Sequence, residues 1–589
     1  MTQPNSSQRF WTKAVDRLAS LTISAGGLLM IGGLVLIFGL IFSETLPLFG
    51  TPRIVAAPAP IASGDEPVSP ALSSNTPRVT FGGGTLLCTG DTAGDISVFE
   101  TVEGQEPKLL EKIRLHPDAP APVTVLGTLV GGETLIAGDA RGRVSGLMRL
   151  RVAPEGEERC LKVVRAYEAN AAAVTAFAAS PRGKTFLTGD ANGGVVARFG
   201  TNARTLASTR VGAAVIALEF GPKGTTFTAA TPAGPRHFTL DAPHPEISFA
   251  ALFGKQLYEG YDSPEYVWQS SGATDDFESK LSLVPLIFGT LKGTFYAMLF
   301  AVPIGLAAAL YTSVFATPKV KRFVKPIVEI MAALPSVVLG FLAGLWLAPL
   351  IQKATVSTLL LFPSIPFFVL AGVFLFQLLP FETRQHVRPG QELFLVLPLA
   401  LLGAAFAWYA GPVVERVFFS GDFKAWLLTG PGLKYDARNS LVIAFAMGFA
   451  VIPIIFTISE DALSSVPEHL KAASLALGAS PWQTAIRVIL PTASAGIFSA
   501  LMVGFGRAVG ETMIVLMATG NTPILEWNVF NGMRTLAANI AVEIPEAPQG
   551  GSLYRVLFLA ALLLFVVTFL VNTLAEALRQ RLRKKYTVI

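Results

Sequence analysis

Two charged residues stand in an otherwise apolar stretch towards the C-terminal end of the chain. They are Arg507 and Glu511, in the run GRAVGETM that begins at Gly506. A charge at the centre of a membrane helix costs about 2.5–3.5 kcal/mol and by default indicates function. On a continuous helix the four-residue spacing would place both side chains on one face. The pattern predicts an anion contact at Arg507 or, alternatively, an ion pair that only locks packing.

A second candidate site precedes this stretch. Ala472 and Ala473 open a helix-forming run that Gly478 interrupts. A second short helix is expected next, and the chain enters another apolar stretch at Leu490 and Pro491. A pair of short amphipathic helices suits docking into a groove of a partner. The alternative is a simple connecting loop.

Two further polar residues have less specific surroundings. Glu329 closely follows a basic cluster, and it could either serve the same function as Arg507 or simply pair with Lys325, one turn back. His386 lies between Arg384 and Arg388, and we interpret it as a solvated loop histidine.

Long apolar runs separate a membrane part from a soluble part. Hydrophobic residues make up 51% of the sequence and charged residues 15%, whereas soluble proteins carry roughly 25% charged residues. A membrane helix needs about 20 apolar residues. The sequence predicts eight spans, at residues 18–42, 286–315, 325–351, 355–379, 393–412, 440–459, 491–518 and 553–577.

The basic residues have the distribution expected of a multi-pass membrane protein. They cluster before the first span, between the second and third, between the fourth and fifth, and after the last. With the N-terminus inside, all these clusters are cytoplasmic and residues 44–280 are extracytoplasmic. The first span is too long for a secretory signal, so we expect an uncleaved anchor. A formal charge of +5 does not suggest nucleic acid as a partner.

The soluble part contains an internal repeat with a period of roughly 41–51 residues. Three copies have a Gly-Asp pair followed by a Gly, which is typical of a tight turn between strands. Copies begin at Thr89, Ala137 and Thr188, with a degenerate fourth at Ala229. Over about residues 80–245 the pattern resembles WD-repeat β-propeller blades, and a β-sandwich is the alternative. We interpret the Asp residues as turn formers rather than ligands.

Two other features of the soluble part concern its linker and its cysteines. Pro, Ala and Ser crowd residues 51–76, which predicts a linker. Cys88 and Cys160 are either free thiols or joined by a disulfide, if this part is extracytoplasmic. No metal-ligand or catalytic constellation accompanies them, so the sequence indicates no cofactor here.

The segment from Ala472 to Pro491 resembles the EAA loop of bacterial ABC importer permeases, E-A-A-x3-G-x9-I-x-L-P. Three positions depart from that pattern, because Ala472 replaces Glu, Ser474 replaces Ala and Val488 replaces Ile. The resemblance implies a type I ABC importer permease that docks on a separate ATPase. The sequence has no G-x4-G-K-[ST] motif, so ATP and Mg²⁺ would be bound by that partner.

The octad at Gly506 closely resembles the PstC family of phosphate ABC transporter permeases. Segments near Gly289 and Gly340 match as well, and the resemblance covers residues 280–352 and 440–585. It implies a heterodimer with a PstA-like permease, an ABC ATPase dimer and a periplasmic phosphate-binding protein. The substrate path it implies contains Arg507, Glu511, Thr512 and Glu329, and ATPase coupling would use Ala472, Ala473, Gly478, Leu490 and Pro491.

Together these patterns predict an α-helical integral membrane protein with about eight transmembrane helices and an inserted all-β, propeller-like domain. The expected parts are an N-terminal segment with the first helix (1–43), a periplasmic insert (44–280), and a permease domain (281–589) with its coupling loop at 463–491. We expect phosphate import across the bacterial inner membrane, with both termini cytoplasmic. The alternatives are another oxyanion, such as sulfate or molybdate, and a membrane-anchored sensor. No motif indicates covalent chemistry.

Overall fold

The chain divides into a unit that is largely β and a unit of membrane helices. A computed structural model describes residues 6–57, 77–102, 105–152, 156, 158–274, 276–378 and 392–586. The first unit runs to Val284 and includes Ala547–Leu559, and the second contains Pro285–Glu546 and the chain from Ala560 onward.

Four antiparallel sheets of four strands each, which we call blades 1 to 4, form the β part of the first unit. Blade 1 is β2–β5 (Arg78–Phe81, Leu86–Gly90, Asp95–Glu100, Lys108–Arg114) and blade 2 is β6–β9 (Val123–Thr128, Leu135–Asp139, Val144–Arg151, Arg159–Ala166). Blade 3 is β10–β13 (Val174–Ala179, Thr185–Asp190, Gly194–Phe199, Thr205–Arg210). Blade 4 is β14–β16 (Ala217–Phe220, Thr226–Thr231, Gly234–Asp241) with β1 (Arg53–Ala56) at its outer edge. In the sequence, blade 4 is followed by α2 (Phe249–Phe253), β17 (Trp268–Gln269) and β18 (Lys280–Leu281).

The outer strand of blade 4 comes from the start of the predicted linker. Ile54 of β1 lies opposite Leu240 of β16 in an antiparallel pair. The prediction of a linker from residue 51 is therefore wrong for Arg53–Ala56. A strand of four residues has too little periodicity to be recognised, so only its distant partner identifies it.

The repeated Asp of blades 1 to 3 forms the turn between two central strands, as predicted. In blade 2, Asp139 accepts hydrogen bonds from the backbone N–H groups of Arg141 (2.9 Å) and Arg143 (3.0 Å). The equivalent Asp of blades 1 and 3 makes the same pair of bonds. The Gly that follows, Gly142, has a φ of 82°, which glycine adopts without steric cost.

In the described residues, the four blades pack side by side in order, and blade 4 does not close a ring by packing extensively against blade 1. Innermost strands pack in the order β2, β6, β10 and β14, and contact between β14 and β2 is at most marginal. The central strands β7 and β11 are buried on both faces, whereas β3 and β15 are buried on one face. A Cβ on Gly142 would lie 2.5 Å from Asn170 O of the next blade, but the equivalent Gly234 of blade 4 faces open space. The sheets confirm a propeller-like domain.

The remaining elements are helices. They are α1 (Ser6–Thr45), α3 (Val284–Leu310), α4 (Pro318–Ala333), α5 (Ser336–Leu342), α6 (Ala348–Lys353), α7 (Thr355–Gln377), α8 (Glu392–Phe418), α9 (Phe423–Thr429), α10 (Ser440–Ser464), α11 (Glu468–Ala476), α12 (Pro481–Thr484), α13 (Leu490–Thr492), α14 (Ser494–Gly510), α15 (Met513–Ala518), α16 (Leu536–Glu543) and α17 (Ser552–Tyr586). Single π-helical turns at Tyr311–Phe315, Ala343–Leu347 and Ala485–Ile489 join some of them. Within the described chain, seven helices are long and apolar enough to cross a membrane, and one bent pair would make an eighth.

Two of the predicted spans are broken. The third begins at Ser336 rather than at residue 325, because Leu334 and Pro335 leave the helical conformation between α4 and α5. Proline disfavours a helical conformation in the residue before it. The seventh span bends by 70° between Thr492 and Ser494, and it breaks again after Gly510.

Helices α7 and α8 form an antiparallel pair with close backbone contact. A Cβ on Gly403 would lie 2.9 Å from Ile365 Cα, and one on Gly411 would lie 2.7 Å from Ser357 Cα. Such small-residue contacts are typical of membrane helices. The connection between them falls outside the described residues, so the interpretation of His386 stays a prediction.

Both cysteines are free thiols, so the disulfide alternative is wrong. Cys88 is on the central strand β3 of blade 1, and Cys160 is on the outer strand β9 of blade 2. The two thiols are therefore not on neighbouring strands. Cys88 is fully buried, and this burial raises its pKa to about 11.

Candidate functional site in the membrane unit

Arg507 and Glu511 are not paired. Helix α14 ends at Gly510, and the backbone of Glu511 is extended, with φ −67° and ψ 123°. The side chains therefore do not share a helical face, and the alternative of an ion pair that locks packing is wrong. Glu511 Oε1 instead accepts a hydrogen bond from the backbone N–H of Ile514 at 3.5 Å. Arg507 is exposed and has no ion-pair partner in the part of the chain that the structure describes.

Thr512 occupies the break between the two half-helices. Its hydroxyl donates a hydrogen bond to Gly510 O at 3.2 Å, and α15 begins at the next residue, Met513. A cation, a carboxylate and a hydroxyl thus lie within six consecutive residues at the break, Arg507 to Thr512. All three are at least partly exposed, so the break is a polar, accessible point between apolar half-helices.

Two glycines bring α5 against the half-helix α15. A Cβ on Gly340 would lie 2.8 Å from Met513 O, and a Cβ on Gly344 would lie 2.5 Å from Met517 O. The successive contacts mean that the two segments run in parallel. Their N-terminal ends therefore lie on the same side, and the breaks before α5 and before α15 lie near the same level.

Glu329 has a different environment from the one predicted. Lys325 forms its ion pair with Glu460 of α10, at 2.6 Å, and not with Glu329. Glu460 is 2% exposed, and a buried carboxylate gains more from a cation than an exposed one does. Glu329 itself is exposed on α4. The alternative that Glu329 pairs with Lys325 is therefore wrong. The sequence analysis did not identify Glu460 as the partner of Lys325, although its position at the end of an apolar run could have indicated a functional carboxylate.

The coupling segment folds as two short helices around a glycine turn. Helix α11 ends at Ala476, and Gly478 has a φ of 87°. Ser480 and Gln483 form a capping box at the start of α12. The hydroxyls of Ser474 and Thr484 lie 2.9 Å apart and join the two helices. Ser474, one of the departures from the EAA pattern, thus has a structural role.

This segment exposes large apolar side chains. Leu477 is 90% exposed and Trp482 is 60% exposed. Ala472 and Ala473 are also exposed, whereas Leu490 and Pro491 are half-buried at the start of the bent span. Adjacent exposed apolar residues on a turn between two helices are typical of a protein-docking surface.

A buried lysine that the sequence analysis overlooked holds the chain after α15. Lys292 of α3 is fully buried and its ammonium donates a hydrogen bond to Asn531 Oδ1. The amide of Asn531 in turn donates to Glu526 at 2.7 Å. This chain of contacts fixes the segment from α15 to α16, so Lys292 has a structural partner.

Residues 301–584 match the family described as the binding-protein-dependent transport system inner membrane component. The match covers slightly less than half of the chain, which is thus similar to this family over that region. The family and the curated relatives are ABC transporter permease subunits, membrane components rather than enzymes.

Among curated proteins, the chain resembles the phosphate transport system permease protein PstC of Pasteurella multocida, with 28% identity over 52% of this chain and 77% of that protein. The PstC of Haemophilus influenzae is 29% identical over 53% of this chain and 79% of its own. YqgH of Bacillus subtilis, a probable ABC transporter permease protein, is 25% identical over 55% and 80%. A solved β-propeller domain of Myceliophteria thermophila Cps50 (Swd1) overlaps 28% of this chain and 51% of that chain, with 12% identity and a TM-score of 0.24.

Proposed function

We propose that this permease carries inorganic phosphate and that Arg507 contacts the anion inside the membrane. The observation that carries the proposal is an exposed guanidinium beside a helix break in an apolar unit, with no ion-pair partner among the residues that the structure describes. A charge at mid-membrane costs about 2.5–3.5 kcal/mol, and apolar residues would pack more cheaply. The relatives named as phosphate permeases support phosphate over sulfate or molybdate.

The proposed roles follow from chemistry. A guanidinium binds a phosphate oxyanion with two parallel hydrogen bonds. Glu511 lies across the break from Arg507, and a movement of the half-helices that brought the two together would displace the anion. Thr512 and Glu329 offer a hydroxyl and a second carboxylate along the same proposed path. Release therefore depends on the break being able to change its geometry.

The proposed partners follow from the exposed coupling segment. A dimeric ABC ATPase would dock on α11 and α12 around Leu477, and a PstA-like permease would complete the transmembrane path. A periplasmic phosphate-binding protein would deliver the anion. In this arrangement both termini are cytoplasmic and residues 44–280 are periplasmic, in line with the positive-inside rule.

The test is ATP-dependent uptake of labelled phosphate by proteoliposomes that contain the assembled complex. We expect uptake that excess sulfate or molybdate does not reduce. Equal competition by either oxyanion would refute the assignment of phosphate. A complex that transports none of the three would favour the membrane-anchored sensor.

A further inference from the structure

A groove between α14 and α17 begins beside the proposed anion contact. It encloses about 360 Å³. Gly506, the neighbour of Arg507, lines one end, and an added Cβ at Gly506 would lie 3.5 Å from Asn572 Oδ1. The groove is lined by Ser499, Met502, Val503, Gly506, Thr568, Asn572, Ala575, Glu576 and Arg579.

The polar lining forms a continuous row. Thr568, Asn572 and Glu576 are spaced by four residues, so they lie on one face of α17. Arg579, one turn on, donates a hydrogen bond to Glu576 at 2.8 Å. Ser499 of α14 adds a hydroxyl from the facing helix. The row therefore runs from the level of Arg507 to the end of α14 that joins the coupling segment.

Asn572 is a polar residue of this row whose presence is not explained by contacts within the described protein. It is exposed, and its amide makes no hydrogen bond in the part of the chain described here. Gly506, opposite it, is 12 residues from the start of α14 at Ser494, or roughly 18 Å at 1.5 Å per residue. That is near the middle of a hydrocarbon layer of about 30 Å. An amide without a partner is costly in lipid, so Asn572 must face water, an anion or protein.

We propose that this groove is part of the anion path. It would lead from Arg507 to the end of the membrane unit next to the coupling segment, and Asn572 would contact the anion within it. The Asn572 amide donates a hydrogen bond to the anion after it leaves Arg507. A neutral donor suits a transient contact because it binds an anion more weakly than a guanidinium does. Arg579, restrained by Glu576, is the next cation along the row.

This inference rests on the proposed transport of an anion, and it adds the route and the residue. A helix of the second permease could instead fill the groove, and the test separates the two. In the assembled complex, with Cys88→Ala and Cys160→Ser, one variant carries Asn572→Cys and a matched control carries Leu574→Cys. Leu574 is 68% exposed and lies two residues along α17, which turns it about 200° away from Asn572.

The first measurement is the rate of modification by an anionic, water-soluble thiosulfonate. We expect the cysteine at position 572 to react at least about tenfold faster than that at 574, since thiosulfonates need water and a thiolate. Saturating phosphate should slow position 572 several-fold and leave 574 unchanged. Equal rates, or a reaction at 572 that phosphate does not slow, would overturn the proposal.

The second measurement is transport. Asn572→Leu should reduce phosphate uptake by about tenfold, the loss of one hydrogen bond to a charged group, and Asn572→Asp should reduce it further by repulsion. Thr573→Val, on the adjacent face, should transport normally. Normal uptake by Asn572→Leu would refute the role. If the parent complex carries a different oxyanion, the assignment of phosphate fails, and protection of position 572 by that oxyanion still tests the groove.

Discussion

Two charged residues, Asp139 in the blades and Arg507 in the membrane unit, differ in whether the described part of the protein itself supplies their hydrogen-bonding partners. Asp139 in blade 2 is fully buried and accepts bonds from two backbone N–H groups and from the guanidinium of Arg143, at 2.7 Å. Arg507 in the membrane unit is exposed and has no ion-pair partner among the described residues. Asp139 lies in the propeller-like domain, and Arg507 lies in the unit of apolar membrane helices.

The difference separates a structural charge from a functional one. A charge whose partners are all supplied locally is explained by the fold. A charge without a partner among the described residues, in surroundings where it is most costly, needs another explanation, and the proposed anion transport would supply one. The Lys292 contact with Asn531 strengthens the comparison, because it shows that this membrane unit does satisfy a buried cation where packing requires it.

The largest expected effect is at the unpaired charge. Arg507→Gln should lower phosphate uptake by about 10- to 100-fold, the loss of charge-assisted hydrogen bonds to the anion. Glu511→Gln should also abolish most uptake, since release depends on its carboxylate. Membrane insertion and co-purification of the partners should be unchanged. Normal uptake by either variant, or failed assembly, would make these residues packing elements like Asp139.

A second large effect is expected at the coupling segment. Leu477→Asp should reduce co-purification of the ATPase at least about fivefold, because a charge replaces an apolar side chain at the centre of the docking surface. Leu477 is 90% exposed, so the permease itself should fold normally. Glu468→Gln, at the other end of α11, is the control and should retain the ATPase. Wild-type recovery and ATPase activity with Leu477→Asp would place docking elsewhere.

In the blades we expect an effect on stability and not on transport. Asp139→Ala leaves two backbone donors and a guanidinium without their acceptor, which should cost about 2–4 kcal/mol. The equivalent Asp91 is only half-buried, so its change to Ala should cost less. Hydrogen exchange in the full chain measures the two effects, at the β7–β8 turn for Asp139→Ala and at the β3–β4 turn for Asp91→Ala. If the two variants exchanged alike while uptake fell, the blade turns would belong to the transport machinery.

The smallest effect concerns the free thiols. The pKa of Cys88 is raised to about 11 by burial, so at pH 8 only about 0.1% of it is thiolate. Cys88 should react slowly with thiol reagents at pH 8 and faster as the pH rises towards 11, while the half-buried Cys160 should react readily. A change in gel mobility on reduction, or rapid labelling of Cys88 at pH 8, would contradict the structure.

Much of the fold was predictable because its determinants are local. The apolar runs indicated the membrane spans, and the Gly-Asp turns indicated the blades, since a turn depends on a few consecutive residues. Gly478 likewise marked the break between α11 and α12. The strand Arg53–Ala56 was missed because its partner, β16, lies far along the chain.

The candidate site was only half predictable. The sequence by itself determined that Arg507 and Glu511 stand in an apolar stretch. The cost of placing charges there follows from the composition of that stretch alone. Tertiary structure alone decided that α14 ends between them, that Lys325 reaches Glu460, and that Asn572 faces Gly506 across a groove. The physical reason is that these outcomes depend on which helix packs beside which, and a spacing of four residues specifies a shared face only while the helix continues.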